Sequence, residues 1–315
     1  MRCSIVVPLY NKEQFVRIAI DSILRQTWQD FEIVVIDDGS KDASAEVVAS
    51  IGDPRIRLIR QENRGVSRTR NRGIEEAQGE LICFLDADDW YDKTFLETIV
   101  LMAQRYPDNT FYATNFRAVF EHRPEDWDRD DLPCTECDWV DDFYKRRFLT
   151  GGIFHTDSFA VKKFDLMAMQ PCFPPGESLG EDQELAFRLV DRLKLMYCPK
   201  PLTGYRYEVS GGLRTDSALK TLPPVYSRLE QRARDGLIEQ RHRKYAFLLS
   251  ADARINVARY MLINGRRVSA LAELFRAWHG AIKRRWWLTL LMCSFGSAAL
   301  MEKWDKKRMR QLYAN

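Results

Sequence analysis

Four short, apolar, β-branched runs begin at residues 3, 31, 56 and 81, and the stretches between them carry helical spacing. The runs are CSIVVPL (3–9), FEIVVID (31–37), IRLIRQ (56–61) and LICFLD (81–86), each short, and all but the third nearly continuous in apolar character. That is the pattern of strands buried on both faces, so their alternation with helices predicts a parallel, doubly wound sheet. Local punctuation outlines the helices. Asn11, with Gln14 three residues on, resembles a capping box opening KEQFVRIAIDSILRQ, where Phe15, Ile18, Ala19, Ser22 and Ile23 share a face. Ser40 is expected to cap a helix with AEVVASI as its apolar face, Gly65 to Ala77 to form a third helix, and Asp92 to cap KTFLETIVLMAQRY.

Ligands of such sheets bind outside the carboxyl ends of the strands. Here those ends read Pro8-Leu9-Tyr10-Asn11, Asp37-Asp38-Gly39-Ser40 and Asp86-Ala87-Asp88-Asp89. Either acidic cluster alone is an ordinary turn and helix start, because Asp, Gly and Ser supply side-chain hydrogen bonds and positive φ. Two of them on one rim point to a single carboxylate-lined crevice, suited to a divalent metal, sugar hydroxyls or the N–H donors of a base.

Absent motifs narrow the chemistry. No G-x-G-x-x-G follows the first strand and no G-x-x-x-x-G-K-[ST] occurs, so a dinucleotide fold and a P-loop are excluded. A phosphatase using D-x-D as nucleophile would carry it on the first strand, which here ends in Pro8-Leu9-Tyr10.

Taken in order, V-P-L-Y-N (7–11), V-I-D-D-G-S (35–40), N-R-G-V-S-R-T-R-N-R-G-I (63–74), F-L-D-A-D-D (84–89) and G-E-D-Q-E-L (180–185) resemble the family 2 glycosyltransferases of GT-A fold. The resemblance covers about residues 1–210. It implies a Rossmann-like, mostly parallel α/β sheet flanked by helices, and a donor that is a nucleoside diphosphate sugar, most simply a UDP-sugar. By the family pattern Pro8 and Tyr10 line the nucleotide pocket, Asp38 accepts from the base, and Asn63, Gly65 and Arg70 lie beside the nucleotide. Asp86 would meet the ribose, and Asp88 would coordinate Mn²⁺ or Mg²⁺ on the diphosphate. Both metals take hard oxygen ligands, and Arg70 can offer a bidentate, charge-assisted contact.

A base is also needed. Leu185, Ala186, Leu189 and Val190 fall at helical spacing, which puts Glu181 and Asp182 in a first turn where the macrodipole favours ionised carboxylates. Such a pair is often only a helix start. The resemblance makes Asp182 the catalytic base of an inverting transfer to a glycan or lipid-linked acceptor. One departure stands out: in Y-R-Y-E-V-S-G-G (205–212), Glu208 replaces the histidine that commonly helps hold the metal or diphosphate, leaving His155 and Arg214 as substitutes.

Charge and composition place the remainder. Residues 121–142 hold ten acidic residues against Arg123 and Arg129, whereas residues 276–315 hold nine Lys or Arg against Glu302 and Asp305. The acidic stretch, with Trp127 and Trp139, sits where the family shapes its acceptor site. Seven cysteines, an odd number, fit a reducing cytosol; Cys134 and Cys137 form a C-x-x-C that lacks a second ligand pair for zinc. The N-terminus reads as structure rather than a secretory signal. The expected division is a transferase domain over residues 1–220 and an all-helical region over 221–315, hinged at Leu222-Pro223-Pro224. Within the latter, a helical hairpin breaks at Asn264-Gly265 and leads to WWLTLLMCSFGSAAL (286–300). That run is shorter than the roughly 20 residues of a bilayer span. With Trp286, Trp287 and Trp304 and flanking cations it suits an interfacial helix on an anionic inner membrane, or equally a packed helix. The expected location is the cytoplasm or the cytoplasmic face of that membrane, with no nucleic-acid partner. Two other function classes remain open: a nucleotidyltransferase on a related fold, and an inactive nucleotide-sugar-binding scaffold.

Overall fold

The computed structural model describes residues 1–119, 132–206 and 220–295. Nine strands form one sheet: β1 Cys3–Leu9, β2 Phe31–Asp37, β3 Ile56–Arg60, β4 Leu81–Phe84, β5 Trp90–Tyr91, β6 Phe111–Val119, β7 Asp138–Val140, β8 Phe159–Lys162 and β9 Leu195–Arg206. Seven helices accompany them: α1 Val16–Leu24, α2 Ser44–Ala49, α3 Val66–Glu76, α4 Phe95–Arg105, α5 Phe143–Thr150, α6 Lys163–Ala168 and α7 Glu181–Val190. Then come α8 Pro224–Arg234, α9 Gln240–Ile263, α10 Arg267–Arg276 and α11 Arg284–Phe295.

The sheet order is β3-β2-β1-β4-β8-β6-β9-β5, with β7 also on β9. Strands β3, β2, β1 and β4 are mutually parallel, as the alternation in sequence predicts. Burial explains why these runs are largely apolar, since every residue of β2 and β4 is buried. Glu32 of β2 is tolerated there because Ser4 Oγ donates to it at 2.6 Å and Arg57 pairs with it at 3.2 Å. Burial works against that charge, but the hydrogen bonds of Ser4, the Gln78 N–H and Arg57 outweigh it and lower the pKa.

Beyond β4 the sheet becomes mixed. β8 runs antiparallel to both β4 and β6, while β6 and β9 are parallel with a register shift at Thr114–Phe116. Two-residue β5 pairs antiparallel with Thr203 and Gly204 of β9. The chain therefore leaves β4 in mid-sheet at Phe84 and pairs again with β9 from Trp90, stretching Asp86–Asp89 along the rim. Helix α3 can lie close on β1 because Gly73 has no side chain; an added Cβ would stand 2.2 Å from Val6 Cγ1.

Two helix starts differ from the sequence reading. Asn11 adopts φ 50° and its Oδ1 accepts from the Lys41 N–H at 2.8 Å, so it braces the neighbouring strand tip instead of capping α1, which begins at Val16. Ser40 likewise does not cap α2. Its Oγ accepts from the Asn11 N–H at 3.1 Å, and Asp42 takes over the turn before α2 by accepting from the Ser44 N–H at 3.0 Å. At the start of α4, Asp92 accepts from the Thr94 N–H, one residue before the helix.

The chain divides into two compact units, Met1–Phe143 with Thr150–Gly212, and Tyr144–Leu149 with Leu213–Asn315. The second is helical among its described residues. Its apolar centre is Ala251, Ile255, Ala258, Leu274, Ala277 and Trp286, and the buried Glu230 and Glu273 both pair with Arg254, at 2.8 and 2.5 Å. Residues 286–300 were expected to form one apolar helix; the described part is α11, and residues 296–300 and Trp304 lie outside the described residues. No helix of the described residues is long and apolar enough to cross a membrane.

Candidate active site

The carboxyl ends of β1, β2 and β4 meet α3 and α7 on one rim. Asp37 shapes the second tip, accepting from the Ser40 N–H at 3.0 Å and pairing with Arg60 at 3.1 Å. Asp38 is buried and reaches across to the third loop. Its carboxylate accepts from Gln61 Nε2 at 2.7 Å and from the N–H groups of Arg64 and Gly65, both at 2.9 Å. Gly65 (φ 85°) opens α3, a backbone conformation that a residue with a Cβ adopts only under strain. Asn63 is exposed beside it, Pro8 lies within β1, and Tyr10 projects 41% exposed from the first tip.

Arg70, on the inner face of α3, is 5% exposed. It donates through one terminal nitrogen to Asp86 at 2.7 Å and through the other to Glu181 at 3.0 Å, with its guanidinium 5.3 Å from the Phe173 ring. Burial opposes the arginine's charge, yet Asp86 and Glu181 more than restore it, so its pKa is raised. Both carboxyls are pushed up: burial is the main cause at each, and Arg70 opposes it.

The other two aspartates have different partners. Asp88 Oδ2 accepts from Lys12 Nζ at 2.7 Å, with about a fifth of each side chain exposed. Its Oδ1 has no partner among the described residues. Asp89 is buried, accepts from the Arg206 N–H at 2.7 Å and shares a hydrogen bond with Asp157. Arg206 also donates from Nε to the Asp88 carbonyl at 3.1 Å, with its guanidinium over the Phe15 and Trp90 rings, 5.1 Å from each.

Asp157 links this group to the backbone of the acidic tip, accepting from the Asp86 N–H at 2.9 Å, and pairs with His155 Nδ1 at 3.0 Å. Burial, then the charge of Asp157, holds the Asp89 carboxyl well above the usual range. At Asp157 burial is outweighed by His155 and the hydrogen bonds, and its pKa falls. His155 is raised because Asp157, followed by Asp86 and Asp182, overcomes the burial of the ring. The ring lies 4.4 Å from that of Tyr205. Asp182 stands in the first turn of α7, its Oδ1 accepting from the Gln183 N–H at 2.7 Å, and its charge is felt at both Arg70 and His155.

The structure thus gathers Asp38, Arg70, Asp86, Asp88 and Asp182 around the rim, with Pro8, Tyr10, Asn63 and Gly65 along the two adjoining loops. Sequence reasoning missed Lys12 and Asp157, and it gave Arg206 and Glu181 no contacts. Lys12 directly follows the PLYN tip, a detectable signal, but Asp157 sits in a stretch without a motif. Glu208, Arg214 and Trp127 lie outside the described residues. Ligand atoms of Asp89, His155 and Asp157 come within 4.8 Å of one another, but they are already bonded among themselves.

A sheet of this topology, with acidic strand tips facing a helix that begins Glu-Asp, is the GT-A fold. S. aureus TarS 1–349 in complex with UDP-GlcNAc has the same fold: 19% identity, TM-score 0.62, covering 83% of this chain and 72% of that one. Residues 4–164 match the family description "Glycosyl transferase family 2", just over half of the chain, and the protein belongs to that family. It is 31% identical over 214 residues to EpsH of Bacillus subtilis, a protein named as a glycosyltransferase, across 66% of this chain and 61% of that protein. The glycosyltransferase GlyA of Streptococcus pneumoniae is 42% identical over 100 residues, which is 31% of this chain and 14% of GlyA. The chain therefore spans under two thirds of the length of either relative.

Two outcomes test the network. Arg70→Met leaves two inward-facing carboxyls without their cation and should destabilise the fold by about 3–5 kcal/mol, as urea titration would measure. An unchanged midpoint would remove Arg70 from that role. His155, raised above its ordinary 6.5, contributes stability that is complete below that value and is lost as pH rises through the folded one. The stability difference between wild type and His155→Gln should accordingly be large in mildly acid solution, while Asp157 is ionised, and shrink toward alkaline pH.

Proposed function

We propose that the protein transfers a sugar from a nucleoside diphosphate sugar, a UDP-sugar by analogy with the TarS ligand, to a glycan or lipid-linked acceptor of bacterial surface polysaccharide. The observation that carries this reading is the division of labour along Asp86-Ala87-Asp88-Asp89. A buried arginine, Arg70, holds Asp86 and the Asp157 group holds Asp89, whereas Asp88 is held by a partly exposed lysine alone and keeps its second carboxylate oxygen unpartnered among the described residues.

That free hard oxygen is what Mg²⁺ or Mn²⁺ needs from a protein that supplies one carboxylate and leaves the other positions to phosphate and water. Asp88 would hold the ion, and His155 would stand nearby in place of the missing family histidine. When bound, the metal supplies Lewis-acid stabilisation of charge on the departing diphosphate. Everything else falls to the chain. Asp38 has roughly four acceptor positions, of which three are in use, leaving one for a base N–H. Asp86 faces the ribose, held in place by Arg70, with Pro8, Tyr10, Asn63 and Gly65 lining the nucleotide pocket. Asp182 accepts the acceptor's hydroxyl proton as its oxygen bonds to C1. The C1–phosphate bond breaks on the opposite face, its electron pair leaves with the nucleoside diphosphate, and C1 inverts. A lipid-linked acceptor would bring the enzyme to the cytoplasmic face of the inner membrane.

Lys12 competes with a metal for the same carboxylate. Lys12→Met should therefore tighten Mn²⁺ binding to the donor-free protein, read by electron paramagnetic resonance, while Asp88→Asn abolishes both binding and metal-stimulated donor turnover. Equal Mn²⁺ affinity in all three proteins would remove Asp88 from the metal site. For the base, Asp182→Asn should lower kcat by roughly 10²- to 10⁴-fold with donor affinity retained. A variant keeping more than about a tenth of kcat would transfer the role elsewhere.

A further inference from the structure

The helical unit turns an unusual amount of apolar surface outward. Val268, Phe275, Trp278, Ile282, Trp287 and Leu291 are 83, 59, 64, 68, 57 and 56% exposed, within 24 residues of sequence. Phe275 and Trp287 pack on one buried ring. Trp286, 5% exposed and fixed by donating from Nε1 to the Leu274 carbonyl at 2.9 Å, has its ring 6.2 Å from Phe275 and 4.9 Å from Trp287. Trp287 in turn donates to the Ala281 carbonyl at 2.7 Å, which brings it beside Ile282, and Trp278 packs on the His279 ring at 3.9 Å. Along α11 the outward positions 284, 287, 291 and 294 form one stripe, and along α10 the positions 268, 272, 275 and 276 form another.

Between residues 264 and 294 the exposed charges are one-sided. Arg266, Arg267, Arg276 and Arg284 are exposed between residues 264 and 294. The single acid in that stretch, Glu273, is buried and committed to Arg254 and Arg276, so no carboxylate there faces solvent. Exposed Trp, Phe and Ile interleaved with arginine is the composition of a surface that enters the headgroup region of an anionic bilayer. A second copy of the chain fits it poorly. Two-fold pairing sets the same patch against itself, and here that means arginines facing arginines, with the one acid of residues 264–294, Glu273, buried.

We infer that this face, Phe275, Trp278, Ile282, Trp287 and Leu291 with their flanking arginines, docks the protein on an anionic membrane surface. The inference deepens the membrane part of the proposed function and corrects its location. The sequence points to residues 286–300 as the interfacial helix, but Trp286, Thr289 and Cys293 face the helical core, and the outward surface is made with α10 and the turn at 278–282. It does not depend on the donor, so its failure and that of the transferase reading are separable.

The test is flotation of the full chain with phosphatidylcholine vesicles and with vesicles mixed with phosphatidylglycerol. The wild type should float with the anionic vesicles alone and detach as salt is raised. Trp278→Ala with Ile282→Ser should lower the bound fraction at least tenfold, and Arg266→Gln with Arg284→Gln should do so on anionic vesicles, with unchanged thermal melting and donor hydrolysis in both. Three results would overturn the inference: no flotation of the wild type, equal flotation of wild type and both variants, or a concentration-dependent dimer in sedimentation that the apolar variant dissolves. The last would assign the face to a second copy.

Discussion

A single buried guanidinium sets the geometry of the site. Arg70 joins α3 to the tip of β4 through Asp86 and to the start of α7 through Glu181, segments separated by up to 111 residues in sequence. Burying one cation between two carboxyls costs desolvation at all three, and the raised pKa values of Asp86 and Glu181 are the trace of that cost. The return is geometric. Asp86 is fixed toward the crevice, and the first turn of α7, with Asp182 next to Glu181, is fixed opposite it. The Gly73 contact with Val6 then determines how deep Arg70 sits, because it lets α3 approach β1. Sequence, packing and site are thus coupled through one helix.

Three aspartates in four positions would repel one another without compensation. The protein supplies it in three chemically different ways: an arginine for Asp86, a lysine for Asp88, and a shared proton with a histidine behind it for Asp89. A buried arginine holds its proton at any accessible pH, so Asp86 is a fixed element. A proton shared between Asp89 and Asp157 removes a charge from the crowded rim, which lets Asp89 serve as an anchor for the Arg206 N–H. Lysine is a compact, flexible point charge on a partly exposed stem, and of the three partners it is the one that can be displaced without unfolding anything. The site's exchangeable position is therefore Asp88, for reasons visible in its partner as much as in the carboxylate itself.

How much of this was legible in the sequence follows from how local each signal is. The strands β1 and β2 match the apolar runs residue for residue, because a strand buried on both faces is apolar along most of its length. The helix starts at Asn11 and Ser40 misled, since both side chains bond across to the other's loop, and a capping pattern cannot tell a partner three residues away from one about thirty away. The mixed half of the sheet was illegible for the same reason: β8 is four residues long, and its antiparallel place between β4 and β6 is fixed by non-local pairing alone. At the site, the motif residues fell along one rim, whereas Asp157 was invisible because its role depends entirely on Asp86, Asp89 and His155, which the fold brings together.

The helical unit shows the same limit from another direction. An apolar run such as WWLTLLMCSF does not declare how many of its residues a neighbour will cover. In α11 every third or fourth position, Trp286, Thr289 and Cys293, is taken by the core, and Trp287 and Leu291 are left outside on the opposite side. The helix is therefore consumed by packing along one face and free along the other. A hydropathy profile sums the two faces and so places a membrane contact along the whole run, whereas burial divides the run and joins its outer half to Phe275, Trp278 and Ile282. The surface that results is wider than any one helix, and it combines aromatic rings, which settle at a polar–apolar boundary, with arginines that find their counterions there.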